Sequence, residues 1–254
     1  MKRSLFAVFL IFVSFVLIAE AQKRRPLVPI KKPVVNQPIR ENTNTAIVVD
    51  ERLAVLRSEP SLYAMPIQRM RTGRILAISG AKQADSLTFY RVIVPPDNYG
   101  WVQAEAVVGK FRRGDDERLV RLVQASEGFE QIERAMIYLD NFPNSALRPP
   151  ILLLTGDLIE ENARRISLEA ARKLERREMA ASGAPLHSFY LNYTSLDRFR
   201  RLGINFVFNS NTKSIHYDGA AWKELVLKFP KTAEAAEAQK RLDSLKGKMG
   251  KTAQ

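Results

Sequence analysis

The chain contains no cysteine among its 254 residues. That absence excludes disulfides, thiolate zinc sites, iron–sulfur clusters, a cysteine nucleophile and an anchor acylated through cysteine. Histidine is nearly missing too: His187 and His216 are the only two, too few for a His-rich metal centre. No glycine-rich phosphate loop of either common type occurs, so nucleotide binding has no support and no cofactor is expected. His187 stands beside Ser188, but a catalytic triad is a spatial arrangement that adjacent residues rarely share.

Positive charge is plentiful, with 40 Lys+Arg against 27 Asp+Glu, but its distribution matters more than its sum. Residues 22–45 hold six basic residues against one acidic, and residues 239–254 hold five against one. The 193 residues between them hold 27 against 24. A nucleic-acid domain gathers its cations on a folded face. Here the excess sits on the two ends, which suits solvated tails or an anionic envelope polymer and argues against nucleic acid.

Residues 1–21 have the form of a secretory signal. Lys2 and Arg3 precede an apolar or small run, Leu5–Ala19, and Ala19-Glu20-Ala21 offers a small-x-small cleavage pattern before Gln22. The run is 15 residues long, short of the roughly 20 that a membrane span needs. No later stretch approaches that length. The expectation is export to a periplasmic or extracellular space, with no transmembrane segment after cleavage. Residues 22–45 then carry Pro26, Pro29, Pro33 and Pro38 among basic residues, the composition of an extended linker.

Between residues 46 and 110 the chain changes character. Short apolar runs such as Ala46–Val49, Leu53–Leu56, Ile75–Ile78 and Phe89–Val94 alternate with turn formers at Ser58, Pro60, Gly73, Gly80 and Pro95-Pro96-Asp97. Several strands at such short spacing predict a small barrel or sandwich. Three ordered motifs stand in this region: Val55-Leu56-Arg57-Ser58-Glu59-Pro60, then Arg71-Thr72-Gly73-Arg74-Ile75-Leu76, then Phe89-Tyr90-Arg91-Val92 with Tyr99-Gly100-Trp101-Val102. In this it resembles the bacterial SH3-like family. The resemblance assigns Arg57, Pro60, Gly73, Tyr90, Gly100 and Trp101 to the motif, with structural roles foremost. Pro60 and Gly73 set turns, Gly100 admits a close backbone approach beside Trp101, and Trp101 fills a barrel end rather than serving as a ligand platform.

Residues 115–181 are helical by pattern and open a helical domain expected over 115–246. Asp115-Asp116-Glu117 place negative charge at a helix start, and Leu119, Leu122 and Val123 recur at helical spacing. The tract Tyr138-Leu139…Phe142-Pro143-Asn144-Ser145 recurs as Leu225…Phe229-Pro230-Lys231-Thr232. Phe142 and Phe229 plug helix corners, Pro143 and Pro230 forbid helix continuation, and Ser145 or Thr232 can cap the helix that follows. This unit is similar to the tetratricopeptide-type repeats of bacterial envelope proteins. The copies lie 87 residues apart, well beyond the repeat period of about 34, so an insertion interrupts any regular solenoid. The insertion contains a β-looking pair, Ile204–Phe208 and Lys213–Tyr217, and Asp218 is placed to cap the next helix. The predicted fold is therefore multidomain α+β: a small all-β SH3-like barrel, then a TPR-like helical domain with an inserted hairpin near 204–217 and a basic tail over 247–254.

Two clusters remain. Glu160-Glu161 point about 100° apart on a helix, and the ladder Glu161, Arg165, Glu169, Lys173 describes a solvated salt-bridged face. The second cluster, Phe189, Tyr190, Tyr193, Phe199, Phe206, Phe208, His216, Tyr217 and Trp222, is either a small core or an aromatic binding surface. On the second alternative Tyr190, Tyr193, Tyr217 and Trp222 would contact the ligand, and Arg198 and Arg201 would suit an anionic one. The two family resemblances imply binding rather than catalysis. They predict a non-enzymatic exported binding or scaffold protein of the bacterial envelope, whose partners are envelope proteins and peptidoglycan or another anionic polymer. A cell-wall hydrolase or its activator, or a structural envelope subunit, is the alternative.

Overall fold

Alternation of small apolar and polar residues builds the first half of the chain. A computed structural model describes residues 44–96, 98–174 and 196–250. The signal-like segment, most of the Pro-rich stretch, His187, Phe189, Tyr190, Tyr193 and residues 251–254 lie outside the described residues. Strands β1 (Thr45–Val48), β2 (Val55–Arg57), β3 (Pro66–Arg69), β4 (Ile75–Ala84), β5 (Leu87–Val94), β6 (Asn98–Gln103) and β7 (Val107–Val108) form one curled antiparallel sheet. Its order is β3-β2-β6-β5-β4-β1-β7. Ala46, Val48, Leu56, Leu76, Val92, Val94 and Val102 line the concave core. β4 runs six residues past the apolar Ile75–Ile78, because β5 pairs with it down to Ala84↔Leu87 and supplies the ladder bonds that propensity alone would not.

Two motif residues take roles other than those expected. Gly100 does allow a close approach, but of β2: a Cβ there would overlap the Arg57 carbonyl and the Leu56 side chain. Trp101 is only half-buried and does not belong to the barrel core. Gly100 and Val102 are the buried residues of β6, so strand alternation turns Trp101 to the outer face, opposite Arg57 and Arg91.

Among the described residues the helices that follow are α1 (Asp115–Gln124), α2 (Gly128–Asn141), α3 (Arg148–Leu174), α4 (Leu196–Arg201), α5 (Ala220–Lys228) and α6 (Ala233–Met249). The strands β8 (Phe206–Asn209) and β9 (Ser214–Tyr217) make the inserted hairpin. α6 extends three residues into the segment expected as tail. No helix of the described residues is long and apolar enough to cross a membrane.

The sheet and the helices share one core and a polar clamp. Val49 and Val108 leave the barrel to pack with Leu119, Val123, Ile132 and their neighbours on the helices. Asp115 is 2% exposed; its Oδ2 accepts the Gly109 N–H at 2.9 Å, and its Oδ1 accepts from Arg112 Nε at 2.6 Å and Arg118 Nε at 3.2 Å. Those two guanidiniums donate onward to the carbonyls of Ala104, Glu105 and Val107 at the barrel's end. Burial, with Arg112 alongside, lowers the Arg118 pKa from its usual value. Farther along, Arg134 of α2 donates to the Val49 carbonyl at 3.0 Å. Asp115→Asn leaves two guanidiniums without their counter-charge, so it should cost about 3 kcal/mol and lower Tm by roughly 6–12 °C. Glu117→Gln, exposed on the same helical turn, is the control in the same thermal melts.

The two helix corners are alike in detail. Phe142 and Phe229 each end a helix, with backbone angles of −120°, 60° and −129°, 46°. Each N–H closes on the carbonyl four residues earlier, Tyr138 and Leu225 respectively. Thr232 caps α6 by accepting the Ala235 N–H. Despite the insertion, α5 packs directly against α3. Arg148 bonds Glu224 across that contact at 2.6 Å. The side chain of Trp222 lies over Gly156 of α3, where a Cβ would overlap the indole. Helix propensity alone makes Gly156→Ala stabilising by about 1 kcal/mol. The packing reverses the sign: chemical denaturation should show a loss of about 1–3 kcal/mol.

Candidate functional site

Of the aromatic cluster, the described Phe199, Tyr217 and Trp222 are core, Phe206 and Phe208 are half-buried and His216 lines a cleft. Tyr217 is 4% exposed and Trp222 2%, with their rings edge to face at 5.7 Å. The Tyr217 hydroxyl accepts the Ala221 N–H, and burial raises its pKa far above the usual tyrosine range. Phe199 meets Phe129 and Phe206 edge to face at 5.1 and 5.3 Å. The guanidinium of Arg198 covers that group, 4.5 Å from the Phe129 ring centre, so it serves as a lid on the core. Tyr217 and Trp222 therefore form no binding surface, because an edge-to-face set of rings around a small hairpin is what closes it onto α2 and α3. Arg201 is exposed and turns back to the Asp197 carbonyl on its own helix.

What the insertion builds instead is a cleft of about 490 Å³ between α3, β9 and α6. Glu160 organises it. Although it follows the pattern of a solvated face, its side chain is only 16% exposed. One carboxylate accepts from His216 Nδ1 at 3.0 Å, the Tyr217 N–H at 2.9 Å and Lys248 Nζ at 2.9 Å. Three elements meet on this group. Next to it Ser167 accepts the Ile215 N–H at 2.8 Å and donates to the Ala163 carbonyl. Ile215, Leu245 and Trp222 supply apolar lining, with Leu168 at the rim. Asp157 pairs with Arg241 at 3.1 Å, and Glu161 with Arg164 rather than with the expected Arg165, which bonds Asn162.

An ionised carboxylate can only accept, so the Glu160 bond places a proton on His216 Nδ1 and leaves Nε2 as an acceptor when the ring is neutral. Among the described residues no hydroxyl bonds that second nitrogen, and Ser167 is committed to backbone groups. The cleft thus holds an imidazole oriented by a carboxylate, with no hydroxyl bonded to it among the described residues. No group of three or more acidic or histidine side chains set to hold a metal occurs among the described residues.

The barrel carries the second exposed feature. Five of the eight large apolar side chains exposed among the described residues are on the sheet or its loops: Tyr63, Met65, Ile67, Ile75 and Tyr99. Tyr63, 91% exposed, and Met65, 72% exposed, stand on the 58–65 loop, which four bonds hold in place. Asp85 accepts from Ser61 Oγ and the Leu62 N–H at 2.8 and 2.7 Å, Arg57 donates to the Ala64 carbonyl, and the Ser58 N–H donates to Met65. Asp85 and Ser86 both take positive φ, 51° and 61°, as the two-residue turn that joins β4 to β5. The Leu62 N–H, then Ser61, hold the Asp85 carboxyl below its usual pKa.

No protein-family model, curated protein or solved structure matches this chain.

Burial alone would push the Glu160 carboxyl up, but the donors from His216, Tyr217 and Lys248 outweigh it and hold the group below its ordinary 4.5. A carboxyl lowered on folding stabilises the fold above its ordinary pKa, and the contribution vanishes as pH falls through the lowered value. Glu160→Gln should therefore melt below wild type at neutral pH, and the two Tm curves should converge as pH drops below 4.5.

Proposed function

We propose that the chain is a non-enzymatic, exported binding and scaffold protein of the bacterial cell envelope. In this reading the curled sheet is an SH3-like barrel, the paired helix corners are TPR-like units, and residues 22–45 tether the folded body. One observation carries it: a loop braced at four points presents Tyr63 and Met65 to solvent. Exposed apolar side chains held rigid bind without a large ordering cost, which is what a contact surface for a protein partner requires. The basic tether adds attraction toward peptidoglycan or another anionic envelope polymer. The signal-like residues 1–21 support export.

The Glu160–His216 pair favours a second reading, a cell-wall hydrolase or its activator, since a carboxylate-oriented imidazole is a general base in waiting. Co-sedimentation with purified sacculi and crosslinking in the native envelope test both. On the binding reading, Tyr63→Ser with Met65→Ser removes a crosslinked partner while Tm stays unchanged. Release of muropeptides by the pure protein, abolished by His216→Ala, would establish the hydrolase instead.

A further inference from the structure

The cleft between α3, β9 and α6 has an arrangement of charge that selects for a class of ligand. Asp157, Glu160 and Glu161 face Arg164, Arg241 and Lys248, so its fixed charges cancel. Glu160 is saturated by three donors and stays committed to the fold. The pairs flanking it are different. Asp157–Arg241 is 38% and 44% exposed, and Glu161–Arg164 is 60% and 64% exposed. Exposed pairs contribute little to stability, so they exchange partners at small cost. A ligand of one net charge would leave one member of such a pair uncompensated. A ligand carrying both charges takes one member of each pair, and the two it releases to solvent, Asp157 and Arg164, are opposite in sign, so the cleft stays neutral.

Neutral groups complete the picture. The Ser244 hydroxyl of α6 has no partner among the described residues, and His216 Nε2 of β9 is an open acceptor in the same cleft. These can take backbone N–H and C=O groups, while Ile215, Leu245 and the half-exposed Leu168 offer contact to small apolar side chains. The volume of about 490 Å³ accommodates a few residues.

We propose that this cleft binds a short zwitterionic peptide, with the ligand's carboxylate on Arg241 and its ammonium on Glu161. Arginine's planar fork matches a carboxylate with two parallel bonds, which fixes the ligand's direction. The site is separate from the barrel loop, and neither proposal depends on the other.

Isothermal titration calorimetry of the purified chain with trialanine tests it. Trialanine binds, and N-acetyl-trialanine amide, which lacks both terminal charges, binds about tenfold more weakly or worse. Arg241→Gln weakens trialanine by about the same factor while Tm is unchanged, because the replaced side chain is half in solvent. Glu161→Gln does the same from the other end. The Tyr63→Ser, Met65→Ser protein binds trialanine as wild type does, so a failed barrel surface and a failed cleft are told apart. A silent titration at about 10 mM trialanine, equal binding of the capped peptide, or preference for maltotriose overturns the proposal.

Discussion

One buried carboxylate holds the two halves of this protein together. Asp115 starts a helix, yet its work is done outside that helix, on the Gly109 N–H and on two arginines that reach barrel carbonyls. A small barrel of about 60 residues has a modest core of its own and gains from being fastened to something larger. The clamp uses backbone carbonyls as acceptors, so it fixes the end of β7 and the turn before it as geometry rather than as side-chain contact. Val49 and Val108 complete the joint by entering the helical core. The consequence is a single body: a load on the barrel surface is transmitted to the helices without a hinge between them.

Glu160 repeats this logic at the other end of the helical region. There the parts to be joined are a long helix, an inserted hairpin and the last helix, and again one carboxylate collects the donors. The hairpin has only two strands, too few to stand alone in water. It persists because Ser167 and Glu160 satisfy its backbone from α3, and because Ile215 and Tyr217 are buried beneath. The cleft is the by-product of that attachment, since a hairpin laid across two helices leaves space where their axes part.

The sequence shows what is local and hides what is distant. The Phe-Pro corners at 142 and 229 were legible because a proline, an aromatic and a capping hydroxyl lie within four residues, and cap geometry depends on little else. β1, β2, β4 and β5 were legible as short apolar runs, as was the hairpin near 204–217, whereas the exposed β3 has no such run and is held by pairing with β2. Asp115 was legible only as a helix-start charge, because its decisive partners are carbonyls, which every residue has. Glu160 was hidden by its neighbour. Side by side they describe one acidic face, but the 100° step between them sends Glu161 to solvent and Glu160 beneath β9. Trp222 against Gly156, 66 residues apart, left no local pattern at all.

The same contrast separates the two exposed features. The barrel loop is rigid, apolar and offers no charge of its own at Tyr63 or Met65, so it suits a partner that brings a complementary apolar surface. The cleft is polar, charge-balanced and concave, so it suits a ligand small enough to be surrounded. On the proposed binding reading the first feature would meet a protein partner and the second a small ligand. Glu160 lines the cleft while bracing α3, β9 and α6 together, and its three donors leave it committed to that joint. A ligand held by Arg241 and Glu161 would therefore draw on the exposed pairs around Glu160 and leave the hairpin's attachment in place.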